Sequence, residues 1–478
     1  MEKIAIIGMG ISGMGVLLAY DKLDQKHEIH CFDQKTSFGR GYPFRTDAKD
    51  VLLNVRPDYV SFDHEKPTAF VEWLKARNYA YDEYVPRHIF GEFLQERAEE
   101  LISTMGAVAI KEDVSRLSYI KEDQCFLVET IGGHQDTFDR VHLCCGELPP
   151  KDFYDLQGDK NYLGTIYPLH HRLREIKSSE SVGVIGTSLS AIDVTRYLLY
   201  NDKAKEVVMF SRNNVFPTVR LRTLNLKAKF FTADAIMTIR GQNNGFIDYQ
   251  EVEDLLQKEW EHHDIDTEYL LSTYDVGFDA ITKSLEGDDQ VERIQSLYAD
   301  LIGGYNASWF GMNQLDKKTF EERQQPLIQI FGAPTPIETG EILKEMMGNG
   351  RLQVVEDAIT VKKDEDTGLF HIVKETDKTH RIAAKLHWMV NATGLDNSFE
   401  SIKSTSLLAQ LRNDEIIQIS PCGGVVVLED TFKVVSPRYG VIDGLHAHGV
   451  LIAGVQLINN DTEAIKRSAA EVIRKIYK

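Results

Sequence analysis

Short apolar runs and stretches of helical period alternate along most of the chain, with glycine-rich turns at two of the junctions. Residues 3–7 form an apolar run, Gly8–Gly13 a turn and residues 14–23 a helical stretch, and residues 27–32 then alternate into Asp33. This is a strand–turn–helix–strand unit of the length a dinucleotide fingerprint needs. The same grammar returns about 180 residues later. Residues 182–185 read as a strand, Gly186 opens a turn that closes at Ala191, and a helix runs to Tyr200. Residues 207–210 form a strand that ends on Ser211 and Arg212.

Between the two units, residues 70–76 and 90–102 read as amphipathic helices, and residues 108–114 lead into a meander ending at 141–145. From about residue 217 to 345 the pattern turns helical, with helices expected at 249–262, 290–302 and 337–347. Strands return at 352–355, 370–375 and 386–390, the last reaching Asn391, Ala392, Thr393 and Gly394. A strand at 450–455 and a closing helix at 461–476 complete the pattern. The expectation is an α/β fold with two Rossmann-like, three-layer ββα dinucleotide-binding domains and a helical insertion. The first domain takes 1–165 and 385–478; the second takes 166–384, including a helical region at about 217–347.

Composition narrows the partners. A chain of 478 residues suggests about three domain-sized units. The net charge of −19 argues against nucleic acid, which calls for a basic footprint. No apolar stretch reaches the ~18 residues of a bilayer span, so no membrane partner is expected. The five cysteines form no CxxC or CxxxxC pair, and an odd count fits a reducing compartment, so the expected location is cytoplasmic.

In the first turn, Gly8 permits the tight bend, Gly10 lets backbone approach a diphosphate, and Gly13 lets helix and strand pack closely. Ile11 and Ser12 lie in the turn before the helix, whose free N–H groups and positive dipole end suit phosphate. Asp33, 20 residues beyond Gly13, is placed to accept ribose hydroxyls. The fingerprint alone admits FAD or NAD. In the second turn, Gly186 holds the first glycine place, Ser188 the second and Ala191 the third. No acid ends the next strand; Ser211 and Arg212 stand there, and an arginine can receive the 2′-phosphate of NADPH in preference to NADH. Arg40, between two glycines, sits on a loop from which its guanidinium can reach a diphosphate. Asn54 either hydrogen-bonds a ring nitrogen or caps a turn. Arg87 is either a phosphate ligand or a helix flank. His170, His171, His446 and His448 lack metal-ligand spacing, so no metal site is expected. No nucleophile–base constellation appears, and no catalytic residue is assigned.

Further blocks carry a family likeness: Gly39-Arg40-Gly41-Tyr42-Pro43; Leu52-Leu53-Asn54-Val55 with Phe70-Val71-Glu72-Trp73-Leu74; and Val85-Pro86-Arg87 with Gly91-Glu92-Phe93-Leu94. The sequence resembles the FAD/NAD(P)-binding proteins grouped with FAD-dependent urate hydroxylase and aspartate N-monooxygenase, related to the N-hydroxylating flavin monooxygenases. Gly186–Leu189, Ser211-Arg212 and Asn391–Gly394 extend it. Leu143-Cys144-Cys145-Gly146 departs from it, standing where many relatives carry alanine-threonine-glycine. The resemblance implies FAD on Gly8, Gly10, Gly13 and Asp33, with Arg40, Asn54 and Arg87 near the flavin or diphosphate. It implies NADPH or NADH at the second unit, and that Thr393 and Gly394 lie on the loop returning to the FAD domain. The expected activity is an FAD-dependent oxidoreductase reduced by NAD(P)H, a monooxygenase acting on a small nitrogen-containing molecule. The alternatives are a flavin dehydrogenase or reductase without oxygen transfer, and a non-catalytic nucleotide-binding protein. The helical region reads as a lid or as the surface of a homo-oligomer.

Overall fold

The computed structural model describes every residue except 64, 82, 147, 276, 377 and 378. The chain divides into two compact units, Met1–Leu148 with Leu395–Lys478, and Pro149–Gly394. The first opens with β1 (Lys3–Ile7), α1 (Ile11–Asp21) and β2 (Glu28–Phe32), followed by α2 (Ala69–Ala76), α3 (Arg87–Met105) and β3 (Val108–Ile110). An antiparallel meander of β4 (Val114–Ile120), β5 (Cys125–Thr130) and β6 (Gln135–Phe138) precedes β7 (Arg140–Leu143). Consecutive strand residues point to opposite faces, so β1 feeds two cores. Ile4 and Ile6 join Met14, Val16 and Leu17 of α1 with Phe90, Phe93 and Leu94 of α3. Ala5 and Ile7 join Leu117, Phe126 and Val128 of the meander. Helices on one face of a sheet and a meander on the other make the three-layer arrangement.

The second unit repeats that plan. It contains β8 (Tyr162–Leu163), α4 (Leu169–Arg172), β9 (Ser181–Ile185), α5 (Leu189–Tyr200) and β10 (Glu206–Phe210). Among the described residues seven helices follow: α6 (Ala233–Gln242), α7 (Tyr249–His262), α8 (Thr267–Tyr274), α9 (Asp279–Ser284), α10 (Asp289–Gly311), α11 (Gln314–Phe331) and α12 (Ile337–Gly348). Then come β11 (Leu352–Val354), β12 (Ala358–Lys363), β13 (Phe370–Thr376), β14 (Thr379–Leu386) and β15 (Trp388–Asn391). The five-stranded sheet, in order β11-β10-β9-β15-β8, is parallel throughout, and β12–β14 form the second meander. The helical region is tied by Glu259, which is fully buried and accepts from the backbone N–H groups of Lys229 (2.9 Å), Phe230 (2.6 Å) and Phe231 (2.8 Å).

The chain returns to the first unit through α13 (Leu407–Asn413), β16 (Lys433–Ser436), β17 (Gly440–Ala447) and α14 (Thr462–Ile476). The six-stranded sheet runs β16-β17-β7-β1-β2-β3, with only β16 and β17 antiparallel to each other. Facing α1 and α14, this sheet buries a polar network. His142 Nδ1 lies 2.9 Å from His448 Nε2, and His142 Nε2 lies 2.8 Å from the Tyr20 hydroxyl. Arg140 donates to His446 Nε2 at 2.7 Å, so His446 Nδ1 donates to Thr431 O at 2.8 Å.

Several expected elements are corrected. Residues 450–455 are not a strand: Gly449–Ile452 is a 3₁₀ turn, and the strand is Gly440–Ala447. Gly449 has φ +62°, which turns the chain, while Leu445, His446 and Ala447 pair with β7. The expected strand at 386–390 is split at His387, whose N–H bonds Ser181 O. Leu386 ends a meander strand and Trp388 begins a parallel one. Likewise 141–143 belongs to the main parallel sheet and not to the meander. The helix expected at 290–302 continues to Gly311 through Gly303 and Gly304. At Gly304 a Cβ would lie 2.7 Å from the Phe231 ring, so close packing explains a residue whose propensity argues against helix.

Candidate nucleotide-binding site

The turn between β1 and α1 is assembled from four distant segments. Gly8 has φ +95°, and a Cβ there would lie 2.6 Å from Cys144 O. Only glycine meets both conditions. At Gly13 a Cβ would fall 2.0 Å from Gly8 O, so α1 starts as close to the strand as backbones allow. Gly10 faces Gly41, its would-be Cβ 3.1 Å from the Gly41 Cα. A Cβ on Gly449 would fall 2.1 Å from Ser12 Oγ. The first helical bond of α1 runs from Met14 N–H to Gly10 O at 2.9 Å, and no side chain caps the helix. The N–H groups of Ile11, Ser12 and Gly13 therefore precede the helical ladder at its positive end, the arrangement that binds an anion.

Asp33 serves the turn before it serves any ligand. Its Oδ2 accepts from Met9 N–H at 2.7 Å, and its Oδ1 from Gln34 N–H at 2.7 Å and the Ser37 hydroxyl at 2.6 Å. A carboxylate has about four acceptor positions, so one remains on Oδ2 for a sugar hydroxyl. Burial pushes its carboxyl above the ordinary range, and the hydrogen bonds from Ser37, Met9 and Gln34 oppose that shift. Gly39 N–H bonds Met9 O at 2.9 Å, bringing the Gly39–Gly41 segment to the same turn. Arg40 is fixed there by Gln95 of α3 at 2.7 Å and Thr46 at 3.3 Å. Arg87 is buried at the start of α3 and donates to Leu52 O at 3.1 Å. Asn54 sits half-buried two residues on from Leu52. Cys144 and Cys145 are free thiols; burial pushes Cys144 well up and Cys145 to about 12, so neither is a ready thiolate.

The second unit holds its own turn. Gly186 has φ +124°, and its would-be Cβ meets Ala392 O at 2.7 Å. Ser188 is the exposed N-cap of α5, and its hydroxyl makes no capping bond. Ser211 is engaged by Thr187 at 3.0 Å and by Asn214 N–H at 3.0 Å, so it shapes the loop that presents Arg212. The Arg212 guanidinium is exposed and stands 4.9 Å over the Phe153 ring. Thr393 Oγ1 donates to Asn391 Oδ1 at 2.8 Å, and Gly394 has φ +89°. His170 and His171 are exposed, and His446 and His448 lie in the buried network. Sequence reasoning missed the roles of Met9, Cys144 and Gly449 around the first turn. A glycine after a β-strand was the available signal for the last of these.

Residues 5–148 match the family model described as FAD-NAD(P)-binding. A 4-hydroxybenzoate brominase (decarboxylating) of Pseudoalteromonas luteoviolacea is 23% identical over 247 residues, covering 49% of this chain and 42% of that protein. Trimethylamine monooxygenase of a Pelagibacter species is 25% identical over 222 residues, covering 41% and 47%. The chain thus spans less than half the length of these relatives. The ornithine N-hydroxylase of Kutzneria, solved with reduced FAD, NADP⁺ and L-ornithine, superposes with a TM-score of 0.61 at 13% identity, covering 100% of this chain and 99% of that one. Residues 5–148 are thus similar to an FAD-NAD(P)-binding family, in a chain whose α/β fold is that of an ornithine N-hydroxylase.

Proposed function

We propose that this protein is an FAD-dependent oxidoreductase reduced by NAD(P)H, and that it is a monooxygenase acting on a small nitrogen-containing molecule. The observation that carries the reading is the first turn, where uncapped amides of Ile11, Ser12 and Gly13 converge at a helix N-terminus with no Cβ in the way at Gly10 or Gly41. These groups would hold the FAD diphosphate, Asp33 would take a ribose hydroxyl, and Arg40, Asn54 and Arg87 would lie along the cofactor. Gly186, Ser188, Ser211 and Arg212 would bind the nicotinamide nucleotide, with Arg212 favouring NADPH over NADH through its 2′-phosphate. Thr393 and Gly394 would complete the crossing between the domains, expected as 1–165 with 385–478 and 166–384. When bound, FAD supplies hydride acceptance and, once reduced, oxygen activation. The chain's part is to fix both nucleotides and keep water out.

The nitrogen substrate is supported by trimethylamine monooxygenase among the relatives and ornithine N-hydroxylase among the folds. The −19 charge and five free cysteines support a cytoplasmic protein with a small-molecule partner and no nucleic-acid or membrane partner. Among the described residues no helix is long and apolar enough to cross a membrane. A homo-oligomer belongs to the same reading, supported by exposed Met237, Phe246, Phe310 and Leu315 in the helical region.

The test is the absorbance spectrum of the purified protein, followed by anaerobic titration with NADPH and NADH in parallel. A flavin spectrum bleached by NADPH, with aerobic conversion of an amine to its hydroxylated product, is expected. A colourless protein that releases no flavin on denaturation overturns the reading. Bleaching without oxygen transfer would make it a reductase.

A further inference from the structure

A polar cluster where β2 meets the turn between β5 and β6 takes no part in the nucleotide site. His30 of β2, His134 of the turn and Asp136 of β6 each offer one ligand atom, all within 4.8 Å of one another. The extended backbone puts residues 28 and 30 on one face, and 134 and 136 on one face. Glu28 Oε1 lies 3.0 Å from His30 Nε2, so in the neutral ring that nitrogen carries the hydrogen and Nδ1 presents its lone pair. His30 is 7% exposed; its Nδ1 makes no hydrogen bond and lies 3.8 Å from Asp136 Oδ2, another acceptor. His134 Nε2 is also buried without a hydrogen bond. Two buried imidazole nitrogens without a hydrogen-bond partner thus stand beside a carboxylate oxygen, an arrangement that a cation can join.

We propose that His30, His134 and Asp136 form a binding site for one divalent ion of the zinc class, which clips the β5–β6 turn to β2. Two imidazole nitrogens and a carboxylate oxygen suit a borderline ion such as Zn²⁺. Glu28 plays the outer carboxylate that orients a metal-bound imidazole. Two bonds of roughly 2.0–2.1 Å span at most about 4.2 Å. The His30–Asp136 pair fits as it stands, and the widest pair closes by about half an ångström. The Asp136 and Glu28 side chains are 25% and 49% exposed, which provides an entry path and a place for a water ligand. Lys3 Nζ lies 2.6 Å from Asp136 Oδ2 and 3.4 Å from Glu28 Oε1, so its ammonium is the competing cation. No metal is expected from the sequence because the histidines lack metal-ligand spacing; here His134 and Asp136 are joined by His30, 104 residues earlier.

The 478-residue protein, stripped of metal and with its bound cofactor retained, is titrated with Zn²⁺ by calorimetry. One equivalent is expected to bind. His134→Gln and Asp136→Asn should each weaken it at least tenfold at unchanged cofactor content, and Lys3→Met should tighten it severalfold. In the wild-type protein, one equivalent of Zn²⁺ should also protect His30 and His134 from diethyl pyrocarbonate, located by peptide mass spectrometry. No binding to the wild type, equal affinity in both weakening variants, or protection only of other histidines overturns the proposal.

Discussion

Acidification from pH 7.5 to 5.5 should cost this protein several kcal/mol through three imidazoles in its first unit. His142 and His446 are 0% exposed and His448 is 2% exposed, and among the described residues none meets a carboxylate that would stabilise its charged form. Burial, with Arg140 and the neighbouring histidines adding to it, drives His142 and His446 well below the ordinary range, and burial drives His448 to about 3. The hydrogen-bond pattern agrees, because Arg140 can only donate and so His446 Nε2 must stay unprotonated. A depressed folded pKa means that the unfolded chain binds protons first. The contribution to stability is complete above the unfolded value of about 6.5 and is lost as pH falls toward the folded values. One pH unit below 6.5, each group removes about 1.4 kcal/mol, or about 4 kcal/mol for three. That is a large share of a typical 5–15 kcal/mol. Half-buried His27 and His88 are shifted the same way by burial and add to the slope. The assay is urea denaturation of the cofactor-saturated protein between pH 7.5 and 5.5. His448→Gln keeps a hydrogen-bonding group beside His142 without titrating there, and should remove about a third of the pH slope. Stability flat across this range, or a slope unchanged in that variant, would refute the reasoning.

Gly13→Ala places a methyl 2.0 Å from Gly8 O, an overpacking worth about 1–3 kcal/mol or more. FAD content and fluorescence titration should show at least a tenfold loss, whereas Gly241→Ala, with nothing within 4 Å, should leave FAD binding intact. Arg212→Ser should raise the KM for NADPH about tenfold, roughly 1.4 kcal/mol, and leave NADH unchanged in steady-state kinetics. Glu259→Gln keeps one oxygen for the backbone donors but puts an amide NH₂ where Oε1 accepts from Lys229 N–H, and should cost about 1–3 kcal/mol, read as a lowered melting temperature.

Both halves of the fold were legible because their signals are local. A strand, a positive-φ glycine and a helix start occupy about a dozen residues, and a period of two or 3.6 shows itself within that span. The helix at Tyr249–His262 was readable end to end because Asp248 and Glu251 form a capping box beside an amphipathic face. The helix through Gly303 and Gly304 was cut short, since local propensity cannot register that Phe231 requires a missing side chain there. The strand Gly440–Ala447 was hidden for a similar reason. Asp443, Gly444 and His446 look unlike a buried strand until β7 pairs beside it and Arg140 meets His446.

By itself the sequence determined the two glycine turns, the acid that follows the first and the arginine that follows the second. These depend on backbone sterics and on spacing within one βαβ unit. Only the tertiary structure decided that Asp33 braces Met9, that Gly41 and Gly449 close around the first turn, and that His30 meets His134 and Asp136. Those contacts join residues from 24 to more than 400 positions apart. A parallel sheet sets its neighbours by crossover and register, which no local window of sequence contains.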